Sequence, residues 1–380
     1  MENVELSFSE REYLERVSAV RARMQELEME VAILDQVETM VWLSGFGISE
    51  TLWRCCVVPL EGDPFLIVRS LDLVPARERT WLEDIVGFRD WDDPVAILRH
   101  ELEKRGLHES TIGIEFSSQS MSLHRYKRLK SELPAARFID LGQALWVLRT
   151  IKSEAEIDYH KKAGAVCDAA LANAVKVVRI GCTQRDVIRA ASATYLEMGA
   201  DTGPVGPITT GHGWGALHGN EHSTPVDAGT IVHVELVPRV RGYSTRIMRS
   251  VIAGEPTVRQ QEVAAHLIRI QDAQLAAIVP GADARDVDEL ARRPILELGL
   301  RPHYENITGY TLGCFPATTQ IVSDFSHAFT PAANWRIQEG MVLHMYVSAE
   351  GLAFSESIVV RTRGVERLTK TERRLFSVPI

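Results

Sequence analysis

GHGWGALHGNEHSTPVDAGTIVHVELVPRVRGYSTRIMR, residues 211–249, is the stretch from which the fold can be read. It opens as a Gly- and His-rich loop carrying His212, His218 and His222, and Asp227-Ala228-Gly229 then marks a turn. From Ile231 to Pro238 the alternation suits a half-buried strand, Arg241-Gly242 reads as a hairpin turn, and Tyr243 to Val251 as the returning strand. Three histidines, two acids (Glu221, Glu235) and two arginines (Arg246, Arg249) thus share one loop and hairpin. Solubility alone does not call for such clustering.

Outward from this stretch the pattern repeats. Gly181-Cys182-Thr183-Gln184-Arg185-Asp186-Val187 and Gly281-Ala282-Asp283-Ala284-Arg285-Asp286-Val287 each follow one helical segment and open another. Each helix pair leads to a Gly-rich loop and strands, over 203–251 and 309–361, which is the layout of a duplicated α-α-β-β unit. A charged helix start at Lys152-Ser153-Glu154-Ala155-Glu156 places a boundary near residue 150. Before it, Ser9 caps a helix with Tyr13, Val17, Val20, Met24 and Leu27 at helical spacing. Strands are expected at Val31–Leu34, Cys56–Pro59, Phe65–Val68 and Ile112–Phe116, with helices around Pro94–Arg105 and Leu123–Leu133. The expected class is α/β (α+β), with domains at 1–150 and 151–380.

Composition excludes several functions. A chain of 380 residues with 45% hydrophobic and 24% charged residues is an ordinary globular one. A net charge of -9 disfavours nucleic acid and anionic membranes as partners. No apolar run reaches the roughly 20 residues that span a bilayer. The acidic N-terminus has no signal-type apolar core, and five scattered cysteines lack C-x-x-C spacing; a reduced, cytoplasmic location is expected. Adjacent Cys55 and Cys56 should point to opposite faces of one strand.

Several motifs occur in order along the chain. They are Trp42-Leu43-Ser44-Gly45-Phe46, Arg149-Thr150-Ile151-Lys152-Ser153 with Glu156-Ile157, Gly229, Gly242-Tyr243, Thr308-Gly309-Tyr310 through Gly313, Gly340-Met341-Val342, and Glu356. On these the whole chain resembles the creatinase/prolidase/aminopeptidase P family, the Xaa-Pro peptidase family. The resemblance implies a creatinase-type N-terminal domain followed by a pita-bread catalytic domain of two pseudo-symmetric α-α-β-β halves. It also implies a homodimer whose N-terminal domains reach the partner's catalytic domain, with Trp53 and Arg54 near the partner's site.

The departures carry the functional reading. Metal-dependent members hold two divalent ions with two Asp, one His and two Glu. At those positions this chain has Glu235, Arg246, Tyr310, Tyr346 and Glu356. Two acids with no His cannot close such a site, and a guanidinium repels a cation. No metal and no other cofactor is therefore expected; Glu235, Arg246 and the tyrosines can fill the volume as a polar network. The chain is closest in character to the metal-free members, such as creatinase and ectoine hydrolase. The histidine that moves protons in creatinase corresponds to His218, and its last glutamate to Glu356. Its middle glutamate falls at Met248, beside a matching Arg249. Half of a cation-binding pair is thus replaced and Arg246 adds positive charge, which turns the expectation toward a small carboxylate-bearing substrate.

The expected activity is metal-independent hydrolysis of a C–N bond (amide, amidine or ureido). His218 is the general acid/base, and Glu356, Tyr310 and Tyr346 are further catalytic candidates. Arg246, Arg249, Glu235, Trp53 and Arg54 are the substrate-binding candidates. Each has a plainer reading: His218 as a loop histidine bonded to backbone, Glu356 as a structural partner of Arg246 or Arg249, the tyrosines as satisfied buried hydroxyls. Two alternatives stay open, a lyase or isomerase using His218 for proton abstraction, and a non-catalytic binding protein derived from a metallopeptidase. His222, His233 and His344 are weaker candidates.

Overall fold

Along Val31–Leu34, Cys55–Pro59 and Phe65–Arg69 (strands β1, β2 and β3) both faces are apolar, as a sheet covered on two sides requires. The computed structural model describes residues 4–47, 52–211, 217–316, 319 and 327–378. It divides into two units, Met1–Arg149 with Cys314–Gln320, and Thr150–Gly313 with Ile321–Ile380. With β4 (Ile85–Phe88), β5 (Thr111–Ile114) and β6 (Arg137–Asp140) the first unit forms a six-stranded mixed sheet, ordered β4-β3-β2-β1-β5-β6. Strand alternation sorts its side chains into two cores. Ala32, Leu34, Cys56, Val58, Leu66 and Val68 pack with the Glu10–Glu26 and Val37–Ser44 helices. Val31, Ile33, Cys55, Val57, Phe65 and Ile67 pack with Pro94–Lys104 and Leu123–Glu132. Cys55 and Cys56 do enter opposite layers, and each buried aliphatic chain contributes roughly 1.5–3 kcal/mol. Cys314–Gln320 joins this unit through Phe315, stacked on Trp146 at 6.1 Å, and through the Cys314 carbonyl, which accepts from Arg149 Nη2 at 2.6 Å.

Buried acids sit at the end of that sheet. Asp35 Oδ2 accepts from Trp53 Nε1 at 2.8 Å, while Asp35 Oδ1 and Glu115 Oε2 have no hydrogen-bond partner among the described residues. Burial, reinforced by Asp35, pushes the Glu115 carboxyl up from 4.5 to about 8. The folded chain therefore keeps a proton that the unfolded chain releases. The stabilisation is full below pH 4.5 and is lost as the pH rises to about 8. Glu115→Gln should flatten this decline and stabilise the protein at pH 8 by roughly 2–4 kcal/mol. Urea titrations at pH 5 and pH 8 measure it; an unchanged wild-type slope would refute it.

The second unit is built twice over. Ser153 opens the Glu154–Val177 helix with a reciprocal capping box to Glu156, and Thr183 does the same with Asp186 for Gln184–Glu197. The second pair is Val258–Ala276 and Ala284–Glu297. The turns between paired helices carry Gly181 (φ 83°) and Gly281 (φ 89°), a left-handed conformation that suits glycine. The amide of Gly181 donates to the Val226 carbonyl and that of Gly281 to the Ile337 carbonyl, each at 2.8 Å. The first half carries β7 (Ile208–Gly211), β8 (Ile231–Leu236), a small pair β9 (Arg239–Val240) and β10 (Tyr243–Ser244), and β11 (Ile247–Ala253). The second carries β12 (Gly309–Thr311), β13 (Ala328–Phe329), β14 (Val342–Ala349), β15 (Leu352–Arg361) and β16 (Gly364–Arg367), after which β17 (Phe376–Val378) returns to β11. Sheet orders are β17-β11-β8-β7 and β13-β12-β14-β15-β16. The hairpin between β9 and β10 turns at Arg241 (φ 54°) and Gly242 (φ 83°), whose amides are held by the Asp201 carboxylate at 3.1 and 2.7 Å.

The two half-sheets meet along β11 and β15 through serine hydroxyls. Arg246 N donates to Ser357 Oγ (2.9 Å), Met248 N to Ser355 Oγ (2.7 Å) and Ala353 N to Ser250 Oγ (3.0 Å). Each hydroxyl satisfies a buried amide that no neighbouring carbonyl reaches. Among the described residues no helix is long and apolar enough to cross a membrane.

Candidate active site

Period-two alternation puts His233, Glu235 and Val237 on one side of the β8 segment, Arg246 and Met248 on one side of β11, and Tyr346 and Ser348 on one side of β14. All line a single cavity of about 740 Å³. Leu217 and His218 close it from the loop, with Asn306, Ile307 and Tyr310 from the second half. A volume of this size holds a small organic ligand.

At its centre is Arg246. Its Nη1 donates to the Tyr310 hydroxyl at 2.5 Å, and Glu235 Oε1 lies 3.7 Å away. Tyr310 shares a second hydrogen bond, 2.9 Å, with His344 Nδ1. Burial raises the Glu235 carboxyl, with Arg246 and His218 opposing the shift. Burial likewise drives His344 well below the usual imidazole range, and Arg246 adds to it. Burial raises both tyrosine hydroxyls. The surrounding groups are thus biased toward neutrality, and the guanidiniums of Arg246 and Arg239 are the fixed positive charges of the cavity lining.

Tyr346 is positioned by a chain of contacts that the sequence reading missed. Asn306 Nδ2 donates to its hydroxyl at 3.1 Å, and the Asn306 carboxamide oxygen accepts from Arg301 Nη1 at 2.9 Å. The Asn306 carbonyl accepts from Arg292, which is clamped by Asp288 at 2.7 and 2.9 Å. Spacing gave no signal for this, because the partners lie on a helix and a loop that meet only in the fold.

The remaining candidates fall in different places. His218 is exposed at the cavity wall. The His222 amide donates to Gln184 Oε1 at 2.6 Å, and His212 lies outside the described residues. Glu356 and Arg249 are absent from the described lining of the cavity. Glu356, 0% exposed, is bound by Arg249 (2.8 Å), Arg367 (3.0 Å), Arg373 (3.3 Å) and the Thr369 hydroxyl (3.0 Å). Its structural partner is therefore Arg249, one of the two weighed from sequence, together with two tail arginines that were not considered. Trp53 and Arg54 are both buried in the first unit, Trp53 against Asp35.

A duplicated α-α-β-β unit preceded by a mixed α/β domain is the pita-bread architecture of a class of hydrolases and peptidases. The chain belongs to metallopeptidase family M24: the model of that family matches residues 158–362, and the creatinase/prolidase N-terminal domain matches residues 16–151. It is 25% identical to an ectoine hydrolase of Halomonas elongata over 404 aligned positions, covering 99% of this chain and 100% of that one. It is 26% identical to an Xaa-Pro dipeptidase of Pyrococcus furiosus, covering 83% and 88%. In fold it matches the structure of an Xaa-Pro dipeptidase from Bacillus anthracis with a TM-score of 0.83, at 19% identity, over 96% of this chain and 100% of that one.

A metallopeptidase family implies metal, and a divalent pair needs several carboxylate or imidazole donors converging on one point. Glu235, Arg246, Tyr310 and Tyr346 put one carboxyl, one guanidinium and two protonated phenols around the cavity, while Glu356 is taken up by arginines. No group of three or more His, Cys, Asp and Glu is placed to hold a metal ion among the described residues. These residues do not fit a divalent pair.

Proposed function

We propose that this chain is a metal-independent hydrolase that cleaves a C–N bond, of amide, amidine or ureido type, in a small carboxylate-bearing compound. The observation that carries the reading is Arg246, a buried guanidinium in the cavity where metal-dependent relatives need an anionic ligand. A substrate carboxylate replaces the solvent that Arg246 lost on folding and pairs with it through charge-assisted hydrogen bonds. His218, at the cavity wall, takes the proton from a water attacking the carbon. It then delivers that proton to the departing nitrogen as the C–O bond forms and the C–N bond breaks. The Tyr310 or Tyr346 hydroxyl donates to the oxygen that gains negative charge.

A second reading, an Xaa-Pro dipeptidase, is supported by the relatives of that name. One experiment separates them. Chelator-treated protein is assayed on carboxylate-bearing ureides, amidines and amides, and on Xaa-Pro dipeptides with and without manganese or cobalt. The expected result is turnover of a non-peptide substrate that chelation leaves unchanged. Dipeptide cleavage that appears only on adding metal would establish the second reading. With the substrate so found, Arg246→Ala should raise KM by roughly 10- to 100-fold and change kcat little, the pattern of a group that holds ground and transition states alike. An unaltered KM would remove Arg246 from the binding role.

A further inference from the structure

His233 lines the cavity, is 2% exposed, and neither of its ring nitrogens has a hydrogen-bond partner among the described residues. Ser348 lines the same cavity from the other half of the fold, is 0% exposed, and its Oγ is likewise unpartnered among those residues. Buried polar atoms are nearly always paired, and leaving one unpaired costs about 1–3 kcal/mol. Other buried polar atoms also lack partners among the described residues, such as Asp35 Oδ1 and both amide atoms of Gln274, but those residues do not line this cavity. Unmet groups on both sides of one cavity are the pattern left when the missing partner is a ligand.

The two residues are also related by the strand pairing. His233 is the register partner of Ser250, Ser250 Oγ accepts from Ala353 N at 3.0 Å, and Ala353 is the register partner of Ser348. They therefore stand at one level along the strands, on the two halves of the cavity. Arg246 lies at another level, immediately before β11 and four residues from Ser250. Close to His233 and Ser348 the wall is apolar, formed by Met248, Ala353 and Leu217. An imidazole that carries one N–H and one bare nitrogen, with a hydroxyl that both donates and accepts, matches a group that itself offers one donor and one acceptor.

We infer that His233 and Ser348 form a subsite for an uncharged amide-type group of the ligand, a carboxamide, ureide or lactam, at a distance from the anionic end held by Arg246. The subsite rests on the reading that this cavity holds the substrate, and the selectivity it gives is for molecules with one carboxylate and one neutral amide. It also explains how a mostly apolar cavity recognises a polar compound: two short polar stations, separated by a greasy span.

Three six-carbon probes test this by calorimetry on the full chain: hexanoate, hexanamide and adipic acid monoamide. Wild type is expected to bind the monoamide at least 10-fold more tightly than either single-headed probe. His233→Leu and Ser348→Ala should each weaken the monoamide and hexanamide by about 5- to 10-fold while leaving hexanoate unchanged. Arg246→Ala should do the reverse, weakening hexanoate and the monoamide and sparing hexanamide. Because the replaced atoms have no partner among the described residues, both subsite variants should unfold at the wild-type temperature or above it. The subsite is overturned if hexanamide binding is absent or indifferent to both substitutions, or if both variants are destabilised, which would mean that the polar atoms already have structural partners. Failure of hexanoate alone to bind, with hexanamide behaving as expected, would instead overturn the role of Arg246.

Discussion

His218→Ala should lower turnover by roughly two to four orders of magnitude, the span a positioned general acid/base supplies, and leave the fold intact. The second half of that expectation follows from where the side chain is. His218 is exposed on the cavity wall and follows Leu217, which does the packing in this loop, against Met248, Ala353 and Tyr346. Truncating an exposed imidazole opens no cavity in the core and strands no buried partner. Its electrostatic reach is local: it lowers both the Glu235 carboxyl and the His233 imidazole, so its loss lets both rise. kcat and KM measured with the substrate found above, beside a thermal melt, decide the matter. Full activity in the variant would remove the creatinase-like mechanism and leave Tyr310 and Tyr346 as the groups to test next.

Glu356 should show the opposite signature. Its carboxylate gathers Arg249, Arg367 and Arg373 and accepts from Thr369, and it is fully buried. Arg249 is fully buried as well, and burial lowers its guanidinium while Glu356 opposes that shift. Removing one partner of a buried ion pair leaves a charge without compensation, which costs about 3–5 kcal/mol. Glu356→Ala should accordingly lower the melting temperature by roughly 6–20 °C, at about 2–4 °C per kcal/mol for a unit of this size. Glu356→Gln keeps the shape and part of the hydrogen bonding, so it should lie in between, and its kcat per folded molecule should stay within a few-fold of wild type. A stable Glu356→Gln protein with turnover reduced a hundred-fold would return this residue to the catalytic group.

The contrast between these two residues marks how far the sequence could be read. Order and spacing along the chain carried the duplicated helices, the glycines at 181 and 281, the turn at Arg241-Gly242 and four of the six strands of the first sheet, because local geometry sets them; β4 and β6, with few buried side chains, were not expected. Boundaries shifted by a residue or two at strand and helix ends, and the long β-hairpin broke into shorter pieces between Leu236 and Ile247, where Pro238 cannot donate to a ladder. The resemblance to the family placed Glu235, Arg246, Tyr310 and Tyr346 together, and these four do line one cavity. It could not say which arginines of an arginine-rich tail fold back on Glu356, since Arg367 and Arg373 arrive by a turn after β15. Nor could it find Cys314–Gln320 in the first unit, or Asn306 behind Tyr346. His233 was visible two positions before Glu235, on the same strand face; what singles it out is the lack of a partner, and only three dimensions show that.

The serine seam between β11 and β15 has a consequence for how such a cavity can change size. Within each half-sheet the spacing of strands is set by amide-to-carbonyl bonds and is fixed at about 4.8 Å. Across the seam it is set by side chains, and the Ser357 hydroxyl even hands its own hydrogen back to the Arg246 carbonyl at 2.9 Å. Such a hydroxyl turns about its bonds and can follow a moving partner, whereas a ladder cannot stretch without losing its register. The halves of the pocket, one bearing Arg246 and His233 and the other Tyr346 and Ser348, are thereby joined by a set of short swivels. Width at this line is a variable that point changes at Ser250, Ser355 and Ser357 can adjust, with both sheets left whole.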